Sequence, residues 1–243
     1  MKKRIVHLSD LHVSGPDFVR ELGENVIREV NSISPEIVII TGDLTNDGYP
    51  HEYEMAKRYI DMIECKSKLI VPGNHDARNV GYENFEETFG TRFPVLKQED
   101  LIIVGIDSSE PDLDDGHIGR ANYEFLRRHF SEEEKLEILA LHHHLIPIPG
   151  TGRERNIPVD AGDVLKLLVD LKVEIVLSGH KHIPWKWRLE DTYFITAGTA
   201  TTTRVKGKSV QSFNLIEIED RRIEIIRISS KDGKRQSLFR IER

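Results

Sequence analysis

The chain has 243 residues, of which 38% are hydrophobic and 31% charged, a composition typical of a soluble globular protein and not of a disordered one. Its formal net charge of −7 at pH 7 disfavours binding to extended nucleic acid or to an anionic membrane surface. The single cysteine, Cys65, cannot form an internal disulfide, which excludes a disulfide-stapled secreted scaffold.

Short apolar runs alternate with longer helical patterns from the start of the chain to about residue 180. The segments predicted as strands are 5–8, 37–41, 69–71, 101–106, 136–141 and 175–177. The segments predicted as helices are 18–30, 52–63, 82–89, 123–130 and 164–171. This alternation is typical of a largely parallel sheet with helices packed outside it.

After about residue 185 the pattern changes to strand-like runs separated by short turns. These runs are 185–189, 193–196, 213–218, 223–228 and 238–241. They predict an antiparallel meander, as a second sheet or an extension of the first. Because no linker or internal repeat divides the chain, we expect one domain over residues 1–243.

The apolar runs are too short to cross a bilayer, so we expect no membrane segment. The basic start of the chain lacks the apolar stretch and the cleavage site of an export signal. A cytoplasmic location is therefore expected. Three long loops, at 108–119, 143–160 and 199–209, are predicted to be functional, because long loops in a compact α/β domain commonly are.

Side chains that can bind metal ions follow five of the predicted strands, at the point where each strand ends. Seven of the 11 histidines lie at these positions. Because the carboxyl ends of the strands are where α/β sheets place their sites, we expect these side chains to meet. In chain order they are Asp10 and His12, Asp43, Asn74 with His75 and Asp76, His142 to His144, and His180 with His182.

The spacing of two of these pairs favours shared ligation. Asp10 and His12, like His180 and His182, are two residues apart, and in extended backbone such side chains point to the same side. Each motif alone also has an ordinary interpretation as a solvated strand end or a self-contained turn. Together, and in this order, they favour a metal site.

The residue types also indicate which ions would bind. Carboxylate, imidazole and amide ligands without thiolate suit Mn, Fe, Zn, Co or Ni, and not a structural zinc–cysteine site. Two neighbouring divalent ions need a bridging anionic ligand, a role that a carboxylate can fill and an imidazole cannot. From the residues alone, either Asp43 or Asp10 could be that bridge.

The ordered motifs Asp-x-His, Gly-Asp, Gly-Asn-His-Asp, His and Gly-His-x-His, over residues 10–182, resemble those of the calcineurin-like metallophosphoesterase superfamily. The flanking residues are most similar to the branch that holds the class III cyclic-nucleotide phosphodiesterases and the glycerophosphodiesterases. The resemblance implies a four-layer α/β/β/α sandwich, in which two mixed sheets are flanked by helices.

The resemblance also implies a site with two divalent transition metal ions, such as Mn²⁺, Fe²⁺ or Fe³⁺, or Zn²⁺. It assigns as ligands Asp10, His12 and His182 to one ion, Asn74, His142 and His180 to the other, and Asp43 to both. Among the three consecutive histidines, His142 is preferred because it directly ends a strand, as the matching family ligand does. His143 is then an alternative ligand or a residue on the substrate side.

Further roles follow from the same resemblance. His75 matches a histidine that lies beside the metals and stabilises the transition state or protonates the leaving oxygen, and Asp76 would orient its turn. Many members have an acidic residue three positions after the bridging aspartate, where this chain has Asn46. The side chains predicted to contact substrate are His143 and, independently of the resemblance, Arg78, Arg153, Arg155 and Thr199. Arg153 and Arg155 are chosen because they lie in the loop after the histidine run; the alternative for the arginines and for Thr199 is a solvated loop side chain.

The function implied is hydrolysis of a small-molecule phosphodiester or phosphomonoester, with nucleotides among the candidates, by attack of a metal-bridging hydroxide. One alternative is a non-catalytic metal-binding scaffold of the same fold. Another is a small metal-dependent nuclease, although the net charge disfavours it. The sequence leaves the monoester or diester preference, the native metals and the oligomeric state open.

Overall fold

A computed structural model describes residues 2–130, 135–151, 156–206 and 209–243. The strands within these residues are β1 (Lys2–Leu8), β2 (Ile37–Thr41), β3 (Ser67–Val71), β4 (Val95–Lys97), β5 (Leu101–Gly105), β6 (Leu136–Ala140), β7 (Ile175–Ser178), β8 (Trp185–Leu189), β9 (Thr192–Thr196), β10 (Ser212–Glu219), β11 (Arg222–Ser229) and β12 (Arg235–Glu242). The helices are α1 (Arg20–Ile33), α2 (Pro50–Asp61), α3 (Gly81–Phe89), α4 (Arg120–His129) and α5 (Ala161–Asp170), with a short 3₁₀ helix at Arg78–Val80.

The described strands form two sheets, and each sheet mixes parallel and antiparallel pairs. The order in the first sheet is β12-β11-β10-β1-β2-β3, and in the second it is β4-β5-β6-β7-β9-β8. Strands β1, β2 and β3 are parallel, and so are β5, β6, β7 and β9. The predicted pair of mixed sheets is confirmed.

The strands after residue 185 do not form the single meander that the sequence predicted. β8 and β9 form a hairpin in the second sheet, where β9 lies parallel to β7. β10, β11 and β12 instead join the first sheet, where β10 lies antiparallel to β1. Both β7 and β1 would otherwise present an unpaired edge, and pairing one group of strands with each covers both edges.

Apolar side chains form three core clusters, one between each sheet and its helices and one between the two sheets. Val6 and Ile40 of the first sheet pack against α1, α2 and α3, while Ile5 and Ile39 point to the other face and pack between the sheets. Successive side chains of a strand point to opposite faces, so strands with both faces covered are apolar throughout. Helices α4 and α5 cover the outer face of the second sheet. The predicted four layers are therefore present.

The first turn of α2 holds the loop that follows β2. Pro50 begins this helix, where its missing N–H is no loss. The carboxylate of Glu52 accepts hydrogen bonds from the backbone N–H groups of Asp47 and Tyr49, at 2.9 and 3.0 Å. From the next turn, the hydroxyl of Tyr53 donates to the carbonyl of Asp76 at 2.7 Å. Helix α2 thus anchors the loops that follow both β2 and β3.

The remaining differences from the sequence predictions are small. α1 begins at Arg20 and not at 18, because Phe18 forms an isolated bridge with Thr202. Strand β4, which is mostly exposed, was not predicted. Within the described residues, no helix combines the length and the apolar character that crossing a membrane requires.

Candidate metal centre

The loops that follow β1, β2 and β7 bring four predicted ligands together. One ligand atom from each of Asp10, His12, Asp43 and His182 lies within 4.8 Å of the others, and all four residues are buried. His182 Nε2 is 3.2 Å from a carboxylate oxygen of Asp10 and 3.4 Å from His12 Nε2. We call Asp10, His12 and His182 the first group.

Asn74, His142 and His180 form a second group beside the first. Asn74 Oδ1 lies 3.1 Å from His142 Nε2 and 3.0 Å from His180 Nδ1. The two nitrogens are 3.2 Å apart. Asp43 joins the groups, because its Oδ2 is 3.5 Å from both His12 Nε2 and His142 Nε2.

The backbone is left-handed at five of the seven predicted ligands, a conformation uncommon outside glycine. The φ angles are 54° at Asp10, 42° at His12, 53° at Asp43, 75° at His180 and 58° at His182. Such residues cost free energy and cluster at functional sites, where surrounding contacts hold them. Here the N–H of Asp10 donates to the carbonyl of residue 42 at 3.0 Å, and that of His12 to the carbonyl of Asp43 at 2.9 Å.

The two pairs of residues that are two positions apart therefore do not share ligation through extended backbone, although their spacing predicted this. Asp10 and His12 do share the first group, but through left-handed turns and not through extended backbone. His180 and His182 separate, since His180 Nδ1 faces the second group while His182 Nε2 faces the first. Spacing alone could not separate them, because the direction of each side chain depends on φ at its own residue.

Backbone carbonyls set the tautomer of three histidines. Nδ1 of each lies within hydrogen-bond distance of a carbonyl oxygen, so Nδ1 carries the proton and Nε2 keeps its lone pair. The three pairs are His12 with Thr45 at 3.1 Å, His142 with Thr41 at 2.7 Å, and His182 with Arg204 at 2.9 Å. All three Nε2 atoms face the two groups, as metal-ligating nitrogens would.

These contacts fit metal ions. The Nε2 atoms of His12 and His182 are 3.4 Å apart, and two nitrogen lone pairs at that distance repel unless a cation lies between them. His180 Nε2 is buried and has no hydrogen-bond partner among the described residues. Imidazole, carboxylate and amide donors together suit divalent ions of the Mn, Fe and Zn type.

The charge states of Asp43, Asp10 and His12 match those of metal ligands, whereas the carboxylate of Asp10 raises the pKa of His182 against the effect of burial. Burial alone would raise the pKa of Asp43, but neighbouring histidines, His142 foremost, hold it below its ordinary value. The pKa of Asp10 is likewise lowered, since His182 and His142 outweigh its burial. Burial lowers the pKa of His12 to about 3, so this ring is neutral at pH 7. Anionic carboxylates and neutral imidazoles are the forms that bind metal.

Asp76 joins the turns that follow β2 and β3. Its carboxylate accepts from the backbone N–H groups of Leu44, Thr45 and Gly73 at 2.9–3.0 Å, and from the Thr45 hydroxyl at 2.8 Å. Burial and the charge of Asp43 raise the pKa of Asp76 to about 6, while these donors act in the opposite direction. That Asp76 orients the turn that carries Asn74 and His75 stays a prediction.

His75 lies beside the first group and is partly exposed. Its ring is 4.7 Å from that of His12, edge to face, and its backbone N–H donates to Asp43 Oδ1 at 3.0 Å. His75 Nδ1 lies 2.6 Å from the backbone carbonyl of Asn46. At the position where many family members have a carboxylate, a backbone carbonyl therefore faces Nδ1 of His75.

Two glycines are required by close approach. A Cβ at Gly73 would collide with Asp43 and come within 2.9 Å of His142 Cε1. A Cβ at Gly179 would collide with Ser9 and lie 2.6 Å from Asp10 Oδ2. These glycines let the turns of the two sheets meet closely enough for the groups to share Asp43.

The predicted substrate contacts have different positions. Arg78 lies at the site, with a guanidinium nitrogen 2.9 Å from His75 Nδ1. His143 and Thr199 are fully buried, and Thr199 donates to the carbonyl of Asp10 at 2.8 Å. The structure gives both a supporting position, and substrate contact by either stays a prediction. Arg153 and Arg155 lie outside the described residues.

Two charged side chains near the site were missed by the sequence reasoning. Asp114 accepts from the amide of Asn74 at 3.0 Å and from Arg78 at 2.9 Å. Arg204 donates to Asp17 at 2.6 Å and to the side-chain oxygen of Asn46 at 2.9 Å. Both lie in long loops that the sequence marked as functional, but no strand end or spacing pointed to these particular residues.

The model of the calcineurin-like phosphoesterase family matches residues 3–184. The chain belongs to this family. Together with the cluster of Asp10, His12, Asp43 and His182, this membership makes the chain a metal-dependent phosphoesterase.

Individual relatives are distant. A probable cyclic nucleotide phosphodiesterase of a Synechococcus strain is 28% identical over 154 residues, which are 61% of this chain and 58% of that protein. A probable glycerophosphodiester phosphodiesterase of Arcobacter nitrofigilis is 27% identical over 197 residues, 73% of this chain and 71% of that protein. A purple acid phosphatase from yellow lupin superposes with a TM-score of 0.76 at 15% identity, covering 100% of this chain and 54% of that one. The last likeness shows the fold alone.

Proposed function

We propose that this metallophosphoesterase hydrolyses a small phosphodiester, of the cyclic-nucleotide or glycerophosphodiester kind, with two divalent metal ions. The observation that carries the proposal is the position of Asp43, whose Oδ2 is 3.5 Å from a histidine of each group. A single ion would require one group of ligands, whereas two groups that share a carboxylate suit two ions. The two relatives, a probable cyclic nucleotide phosphodiesterase and a probable glycerophosphodiester phosphodiesterase, support a diester substrate.

The ligands follow from the two groups. Asp10, His12 and His182 would hold one ion, Asn74, His142 and His180 the other, and Asp43 both. Two such ions, when bound, supply Lewis acidity to a phosphoryl group and lower the pKa of bound water towards about 7. The buried carboxylates and carbonyl-oriented imidazoles keep this arrangement preorganised.

His75 would manage the proton of the leaving alcohol. Because Nδ1 faces the Asn46 carbonyl and the Arg78 guanidinium, the proton passed to the leaving oxygen would be held on Nε2. A carbonyl at Nδ1 orients the ring but, unlike a carboxylate, carries no full negative charge.

Exposure indicates where substrate approaches. The ligands of the first group are buried, whereas His75 is partly exposed and the side chain of Arg78 keeps 28% of its surface exposed. We infer that the substrate enters beside these two residues. Arg78 would then meet the anionic oxygens that the metal ions do not contact.

Removal of metal tests the proposal most directly. Chelator-treated protein should lose hydrolysis of bis(p-nitrophenyl) phosphate, cyclic AMP and glycerophosphocholine, and Mn²⁺ should restore it with two ions bound per chain. A p-nitrophenyl monoester assayed in parallel gives the diester preference. Turnover that survives complete metal removal would contradict the proposal. Two bound ions with no turnover on any of these substrates would favour the scaffold alternative.

A further inference from the structure

The amide of Asn74 can serve a metal ion in only one of its two orientations. Its oxygen has lone pairs to donate to a cation, whereas its NH₂ group is a hydrogen-bond donor. Oδ1 faces His142 and His180 at 3.1 and 3.0 Å, and Nδ2 points away from them. Some contact must therefore favour this orientation over the flipped one.

That contact is the hydrogen bond from Asn74 Nδ2 to Asp114 Oδ1, at 3.0 Å. An ionised carboxylate accepts hydrogen bonds and cannot donate them, so it pairs with the NH₂ end of the amide and repels the oxygen end. Neither Asp10 nor Asp43 does this for Asn74, because the carboxylates of both face the histidines.

Asp114 is itself held from two directions. Arg78 donates to the same carboxylate oxygen at 2.9 Å. The backbone carbonyl of Asp114 accepts from Nε2 of the fully buried His143 at 3.2 Å. His143 Nδ1 lies 2.9 Å from the hydroxyl of Ser108, at the start of the same loop. Both nitrogens of His143 thus hold the loop that carries Asp114.

Direct stabilisation of the fold accounts poorly for this arrangement. The side chain of Asp114 is 60% exposed, and exposed ion pairs such as that with Arg78 contribute little to the stability of a fold. The hydrogen bond to Asn74, in contrast, reaches a residue that is 2% exposed and lies against the histidines of the second group. Its consequence is orientation of that residue.

We propose that Asp114 is a positioning residue, which fixes the amide of Asn74 so that its oxygen is presented to the ion of the second group. The inference rests on the proposed function, because it assumes that Asn74 holds an ion. It also gives the second histidine of the triplet a part, since His143 holds residue 114 in place.

The test is calorimetric titration of Mn²⁺ into the metal-free full chain. Asp114→Ala should weaken one of two binding steps by about 10–100-fold, the range for residues that orient metal ligands, and leave the other unchanged. Asp114→Asn keeps an acceptor oxygen and should fall between. In turnover assays Asp114→Ala should raise the Mn²⁺ concentration needed for half activity while kcat at saturating Mn²⁺ recovers.

Asp115→Ala is the matched control, because it removes the same charge one residue later. The carboxylate of Asp115 binds the backbone and side-chain N–H groups of Asn156, both at 3.1 Å. Its two Mn²⁺ affinities should equal those of the parent chain, and both variants should keep the parent unfolding temperature.

The outcomes separate this inference from the proposed function. If the parent chain binds two ions and Asp114→Ala binds both as tightly, or if Asp115→Ala weakens binding equally, Asp114 does not position Asn74. A parent chain that binds fewer than two ions contradicts the proposed function, and the inference falls with it.

Discussion

The two groups of the candidate metal centre differ in the kinds of side chain that they contain. The first pairs two histidines with the carboxylate of Asp10, shares Asp43, and rests on left-handed turns hydrogen-bonded to each other. The second has two histidines but a neutral amide, Asn74, whose orientation depends on the half-exposed Asp114 of a loop. With Asp43, the first group has two carboxylates, whereas the second has only the shared one.

This difference has a consequence for metal affinity. Each anionic ligand strengthens attraction to a divalent ion in a buried site, and a preformed site loses little entropy on binding. We therefore expect the first group to bind its ion more tightly than the second. Four substitutions, with one control, test the comparison.

The largest effect is expected for the carboxylate that the groups share. Asp43→Asn keeps the acceptor for the backbone N–H of His75 but removes the charge between the groups. Both Mn²⁺ affinities should fall, and hydrolysis of the diester should drop by at least about 10⁴-fold, since metal ions contribute several kcal/mol to such reactions. Asp47→Asn, a nearby exposed carboxylate, is the control and should change turnover less than about tenfold. Loss of only one ion in Asp43→Asn would show that Asp43 does not bridge.

His75 belongs to neither group, and its removal separates chemistry from metal binding. His75→Ala should lower kcat by roughly 10²–10⁴-fold, the range for acid–base groups, while two Mn²⁺ ions remain bound. Turnover of the variant and metal content by elemental analysis are measured on the same sample. Release of an ion would instead make His75 a ligand.

The smallest effect on turnover at saturating metal is expected for Asn74. Asn74→Ala should weaken one Mn²⁺ step by at least about 100-fold and spare the tighter one, whereas His12→Ala should weaken the tighter step. Titration calorimetry distinguishes the two patterns. If Asn74→Ala weakened both steps equally, the two groups would not be separate sites, and the comparison would be wrong.

Much of the site was predictable because it is encoded at strand ends. A buried strand such as Ile37–Thr41 is apolar throughout, so the point where polar residues begin is visible in the sequence, and Asp43 follows directly. The preference for His142 over His143 used the same signal. The structure places His142 beside Asn74 and Asp43, while His143 turns to Ser108.

Other features depend on residues far apart in the chain. The division of the last five strands between two sheets depends on which edges stand open, and local patterns do not record that. The partners of Asp114 and of Arg204 come from loops separated by 36 and 158 positions, respectively. No periodicity links such residues.

The sequence by itself determined the alternation of strands and helices, the ligand types and the order in which they occur, because hydrophobic periodicity and residue chemistry are local properties. Only the tertiary structure decided the left-handed turns by which His180 and His182 reach the different groups that the resemblance assigned to them. It also decided that the Asn46 carbonyl orients His75 and that Asp114 orients Asn74. Those outcomes depend on backbone φ angles and on the packing of one sheet against the other, which arise only when the whole chain has folded.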